Sequence, residues 1–168
     1  MNIKRLAYDA MLAAVCTVLG YISLDMGSMK FTFESFPVVL GALLFGPVDG
    51  MLIAFIGTGL YQILKWGLMS TTILWIIPYV IYAMILGLFY KKSLKKTWFF
   101  ALLIGCGILL TLLNTIAIYL DCKIWDYYSF AYVFGPLPIK LVVSIIKSVV
   151  FALILPKIIQ SVKKSLNV

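Results

Sequence analysis

From Leu6 onward, apolar stretches of bilayer-crossing length follow one another with only short polar connections between them. A hydrocarbon core of about 30 Å takes roughly 20 mainly apolar residues to cross as a helix. Hydrophobic residues make up 64% of the 168 positions and charged residues only 12%, whereas a soluble domain carries about 25% charged residues. A core of this size has no room for the excess. The chain reads as an integral membrane protein, which excludes a soluble enzyme, a disordered chain and a disulfide scaffold.

The same composition narrows the available chemistry. Histidine is absent, so a Ser-His-Asp triad, a His-based zinc site and an imidazole relay are excluded. Cys16, Cys106 and Cys122 are widely spaced, without a CxxC arrangement, and suggest neither metal nor redox chemistry. No cofactor or metal is expected. The formal charge of +8 is scattered between hydrophobic stretches, which fits membrane orientation better than nucleic-acid binding.

Candidate helices fall at about 6–24, 35–45, 48–64, 72–89, 97–120 and 138–160 of one membrane domain. The first follows Lys4 and Arg5 as a signal peptide would, but no small-x-small cleavage site follows it, and it reads as a retained helix. The block 36–64 would be about 43 Å long as one straight helix, too long for the core. Gly46-Pro47-Val48-Asp49-Gly50 in its middle signals a turn. Splitting there leaves 35–45 too short to span without tilt or burial among its neighbours. With six crossings and both termini cytoplasmic, nine of the 14 basic residues lie inside: Lys4, Arg5, Lys91, Lys92, Lys95, Lys96, Lys157, Lys163 and Lys164. Five crossings would put the four-lysine connection and the basic N-terminus on opposite sides, so the positive-inside rule favours six. Cys122 then falls in an outer loop, 121–137, open to impermeant thiol reagents.

The outer face collects Lys30, Phe31, Phe33, Lys65 and Trp66 beside the aromatic loop 121–137. An interfacial aromatic belt with snorkelling lysines accounts for part of this. It accounts less well for polar residues running down the helices, among them Gln62, Asn114 and Thr115. Lys140, Ser144 and Lys147 recur at helical spacing and share one face. A lysine within a span marks a functional site unless it has a structural partner. Trp75, Tyr79 and Tyr82 make an aromatic stripe at the same spacing. Such a stripe packs in a core or, facing the lysines, walls a flat anionic ligand; the spacing leaves both open. Ala10 and Ala14 form a small-xxx-small pair that permits close helix approach.

Three features resemble the substrate-binding S-components of energy-coupling factor (ECF) vitamin transporters. They are the six spans in a short chain, the Ala10-x-x-x-Ala14 pair, and the segment Lys30-Phe-Thr-Phe-Glu-Ser-Phe-Pro37 followed by an apolar helix and Phe45-Gly46-Pro47-x-x-Gly50. The resemblance implies an all-α bundle in a bacterial plasma membrane that captures a vitamin from outside. It implies docking through Ala10 and Ala14 onto a membrane coupling subunit, energised by two ATPase subunits. The chain itself has no GxxxxGK[ST] phosphate loop. Ligand contacts implied by region are Lys30, Phe31, Phe33, Trp75, Tyr79, Asn114, Lys140 and Lys147; Lys65, Trp66 and Ser144 join them from the outer face and the lysine stripe. Folate-type members are the most similar, with riboflavin next and pantothenate or biotin behind. Folate-type members favour arginine near the first loop, whereas the only arginine here is Arg5. Among other classes, the chain lacks the convergent acid–base set of a membrane enzyme and the internal repeat common in secondary carriers, and an assembly subunit would bind no ligand.

Overall fold

The computed structural model describes residues 3–26, 29–90 and 95–166. The elements are α1 (Ile3–Tyr21), β1 (Leu24–Met26), β2 (Met29–Phe31), α2 (Ser35–Phe45), α3 (Pro47–Trp66), α4 (Thr72–Phe89), α5 (Lys96–Ile124), α6 (Phe130–Phe134) and α7 (Leu137–Leu166). Part of the four-lysine connection, 91–94, lies outside the described residues. Among the described residues, α3, α4, α5 and the stretch from α6 through α7 are long and apolar enough to cross a membrane. The protein is an all-α multi-span membrane bundle.

The break between α2 and α3 falls at Gly46, whose φ of 108° is the left-handed backbone that glycine tolerates. Pro47 opens α3, where its missing N–H costs nothing. Gly50 lies against Ala42, so a side chain there would meet the α2 backbone and part the two helices. α2 is apolar on every side and is buried from Pro37 through Leu43, as expected of a helix without a polar face. It packs against α1, α3, α4 and α7, while α3 packs on α1 and α4, and α5 on α4 and α7. The central core gathers Val38, Val39, Ile53, Ala54, Tyr82, Ala83, Leu86, Leu103 and Leu155. Leu52, Phe55, Leu60, Leu64 and Leu153 point outward, as lipid-facing side chains do.

The connections hold more structure than their composition indicates. β1 and β2 pair antiparallel, with Asp25 opposite Lys30. α5 runs on to Ile124, carrying Asp121, Cys122 and Lys123 as helix rather than loop. Lys123 in its last turn complements the helix dipole. Asp126, with φ 55°, then turns the chain. Cys122 is therefore fully buried, packed with Ile118 and Val133 of α6, and the expectation that it is open to thiol reagents is corrected. α7 begins at Leu137 and continues past 160 to Leu166.

Candidate ligand-binding site

A cavity of about 420 Å³ lies between the β2–α2 connection, α3, α4, α5 and α7. Its size falls in the range of small-molecule and cofactor pockets, roughly 300–1,000 Å³. β2 supplies Lys30 and Phe31, and the connection to α2 supplies Thr32 and Glu34; α3 supplies Tyr61, Gln62 and Trp66; α4 supplies Thr72, Trp75 and Tyr79. Leu110, Thr111, Asn114 and Asp121 come from α5, and Lys140, Ser144 and Lys147 from α7. Tyr127 and Tyr132 complete the wall near the end of α5.

Trp75 and Tyr79 of the aromatic stripe thus line the same cavity as the lysine stripe. Tyr82, one turn below Tyr79, is instead part of the core. Of the residues singled out from the sequence, Lys30, Phe31, Trp66, Trp75, Tyr79, Asn114, Lys140, Ser144 and Lys147 line the cavity. Phe33 and Lys65 do not. The chain turns at Phe33, whose carbonyl accepts from the Phe36 N–H at 2.8 Å, and the exposed ring leans toward Phe151, 6.4 Å between centroids. Lys65 donates to Ser23 Oγ at 3.0 Å and lies 5.7 Å from the Trp66 ring.

Sequence reading overlooked Tyr61 and Thr32, and it left Glu34, Gln62 and Asp121 without a site role. Tyr61 and Gln62 precede Lys65 and Trp66 by four residues each, a helical repeat that marks the same face. Thr32 gave no signal, because its value here lies in its backbone carbonyl.

The cations of the cavity differ in how they are held. Lys30 pairs with Glu34, and its ammonium sits 3.7 Å from the Tyr61 ring centroid, a cation–π contact. Lys147 donates to the Thr32 carbonyl at 3.2 Å, tying the β2–α2 connection to α7. Thr32 Oγ1 in turn donates to the Leu19 carbonyl at 2.9 Å and accepts from the Glu34 N–H at 3.1 Å. Among the described residues, Lys140 Nζ is buried without a hydrogen-bond partner, as are Asn114 Oδ1 and Glu34 Oε1. Leaving such groups unpaired costs about 1–3 kcal/mol each, more when charged. At the mouth, Tyr127 donates to Asp121. Burial first, and then that carboxylate, raises the phenol above its ordinary range, so it remains a donor. Among the described residues no three of Cys, Asp and Glu cluster to hold a metal ion.

Residues 4–162 match the family model of the ECF transporter substrate-specific component. The chain belongs to this family. The S-component fold is also that of a crystal structure of FolT bound with folic acid, with a TM-score of 0.71 at 21% identity over 92% of each chain. A structure of the S component of a bacterial ECF transporter superimposes with a TM-score of 0.70, again at 21% identity, over 97% of each chain. No curated protein matches this S-component significantly in sequence. As a member of the family it is a multi-pass membrane transport subunit, which implies membrane coupling and ATPase partners.

Proposed function

We propose that this S-component captures folate from the outside of a bacterial plasma membrane and releases it inward after docking on its energising partners. The observation that carries this reading is the partnerless Lys140 ammonium in a cavity walled by Trp66, Trp75 and Tyr79. Flat rings stack on such walls, and a desolvated ammonium calls for an acid group on the ligand. Folate offers both, a planar pterin and benzoyl group with glutamate carboxylates. The similar fold of FolT, crystallised with folic acid, supports the same choice.

In this reading the chain crosses six times with both termini cytoplasmic. α1, although charged in its first two turns by Lys4, Arg5 and Asp9, and α2, although only 11 residues long, count as crossings within the bundle. The orientation rests on the nine cytoplasmic basic residues. Ala10 and Ala14 are both exposed on α1, where small side chains allow a membrane coupling subunit to approach closely. ATP hydrolysis falls to two partner ATPase subunits. Mass spectrometry of small molecules that co-purify with the protein tests the reading. Folates are the expected finding, and a bound flavin, pantothenate or biotin would replace the substrate.

A further inference from the structure

Glu34 is 1% exposed and lines the cavity, yet the surrounding protein uses only part of its capacity. Its N–H goes to Thr32 Oγ1 and its carbonyl accepts from Cys16 Sγ at 3.3 Å. One carboxylate oxygen pairs with Lys30, itself fixed over Tyr61. The other oxygen, Oε1, has no partner of good geometry among the described residues, although the Tyr79 hydroxyl lies beside the carboxylate. Gly20 makes room for this arrangement, since a side chain there would run into Glu34 Oε2 and the Tyr61 ring. The carboxylate is thus immobilised and charge-balanced by Lys30, in the cavity wall beside the Tyr79 hydroxyl, with lone pairs still to fill.

An ionised carboxylate only accepts hydrogen bonds and has about four lone-pair sites, of which Lys30 takes one. Its natural complement is an edge that presents adjacent N–H donors. A pterin offers such an edge, a ring N–H beside an exocyclic amine. A flavin's edge places one N–H between two carbonyl oxygens, which a carboxylate repels. Lys147, tied to the segment that carries Glu34, and Lys140 are seven residues apart on α7, about 10 Å at 1.5 Å per residue. Glu34 and Lys140 thus stand at different positions along the cavity, one suited to a donor-rich ring and the other to an acid.

We infer that Glu34 is the residue that selects the ring of the ligand, by accepting hydrogen bonds from a ring N–H and its neighbouring exocyclic amine. The assignment rests on the folate reading above. The experiment is equilibrium titration of the purified, ligand-free full-length chain with folic acid and with a folic acid analogue whose ring amine is replaced by methyl. The wild type prefers folic acid by about 10- to 100-fold, the range of a lost hydrogen bond to a charged group. Glu34→Gln lowers folic acid affinity and shrinks that preference to a few-fold, leaving analogue binding little changed. Glu34→Asp keeps the charge beside Lys30 but withdraws it from the ring; it should lose the same preference and serves if the neutral variant fails to fold. Equal binding of the two ligands by the wild type, or an undiminished preference in both variants, overturns the assignment while the folate reading stands. Binding of riboflavin and of neither folate overturns both.

Discussion

Two acid–base pairs, Glu34 with Lys30 and Asp49 with Arg5, are alike in chemistry and unlike in setting. In both the acid is nearly inaccessible, at 1% and 2% exposure, and the basic partner is partly exposed, at 26% and 42%. Arg5 also donates to the Phe45 carbonyl at 2.7 Å. The guanidinium thus meets the last carbonyls of α2 while Asp49 occupies the first turn of α3, each favourable to its helix dipole. That pair closes the α2–α3 turn against α1. The Lys30–Glu34 pair borders the cavity, and among the described residues one carboxylate oxygen has no partner of good geometry. A buried ion pair is weak evidence for either stability or function; the neighbouring volume separates a staple from a site.

The largest effect should come from breaking the staple. Arg5→Met leaves Asp49 without its cation, beside Asp9, which is also buried and has neither oxygen hydrogen-bonded. Thermal unfolding of the ligand-free protein should show a loss of about 3–5 kcal/mol, with folic acid affinity nearly unchanged in the protein that remains folded. A loss below about 1 kcal/mol would remove the distinction between the two ends. Lys140→Met probes the cavity end and should act in the opposite sense. Folic acid affinity falls about 10- to 100-fold as a charge-assisted contact is lost, while the empty protein is as stable as before or more so, because a partnerless buried ammonium is gone. Joint loss of stability and affinity would make Lys140 structural. The smallest effect is expected at Phe33: Phe33→Ala should change affinity by less than about threefold, because the ring lies outside the cavity. A larger loss would return Phe33 to the site.

The residues visible in the sequence were those whose position follows from local periodicity. Lys140, Ser144 and Lys147 recur every turn, as do Trp75 and Tyr79, and helical geometry alone puts each set on one face. Gly46-Pro47 announced its turn through backbone chemistry that needs no tertiary context. Phe31 and Phe33 could not be separated, because the chain leaves the strand after Phe31 and turns at Phe33. Lys65 and Trp66 are adjacent on α3, and only packing decides that Trp66 reaches the cavity while Lys65 turns to Ser23. Asp121 to Lys123 read as loop from their polarity, although α5 absorbs them. Glu34 was hidden for a related reason: its burial comes from α1 and α3, far away in sequence.

Titration of the ligand-free protein with folic acid and with riboflavin tests the central claim most directly. Trp66 and Trp75 line the cavity, so their fluorescence reports occupancy. Folic acid is expected to quench it saturably at one ligand per chain with submicromolar affinity, and riboflavin to leave it unchanged at the same concentrations. Saturable binding of riboflavin with indifference to folic acid would contradict that claim.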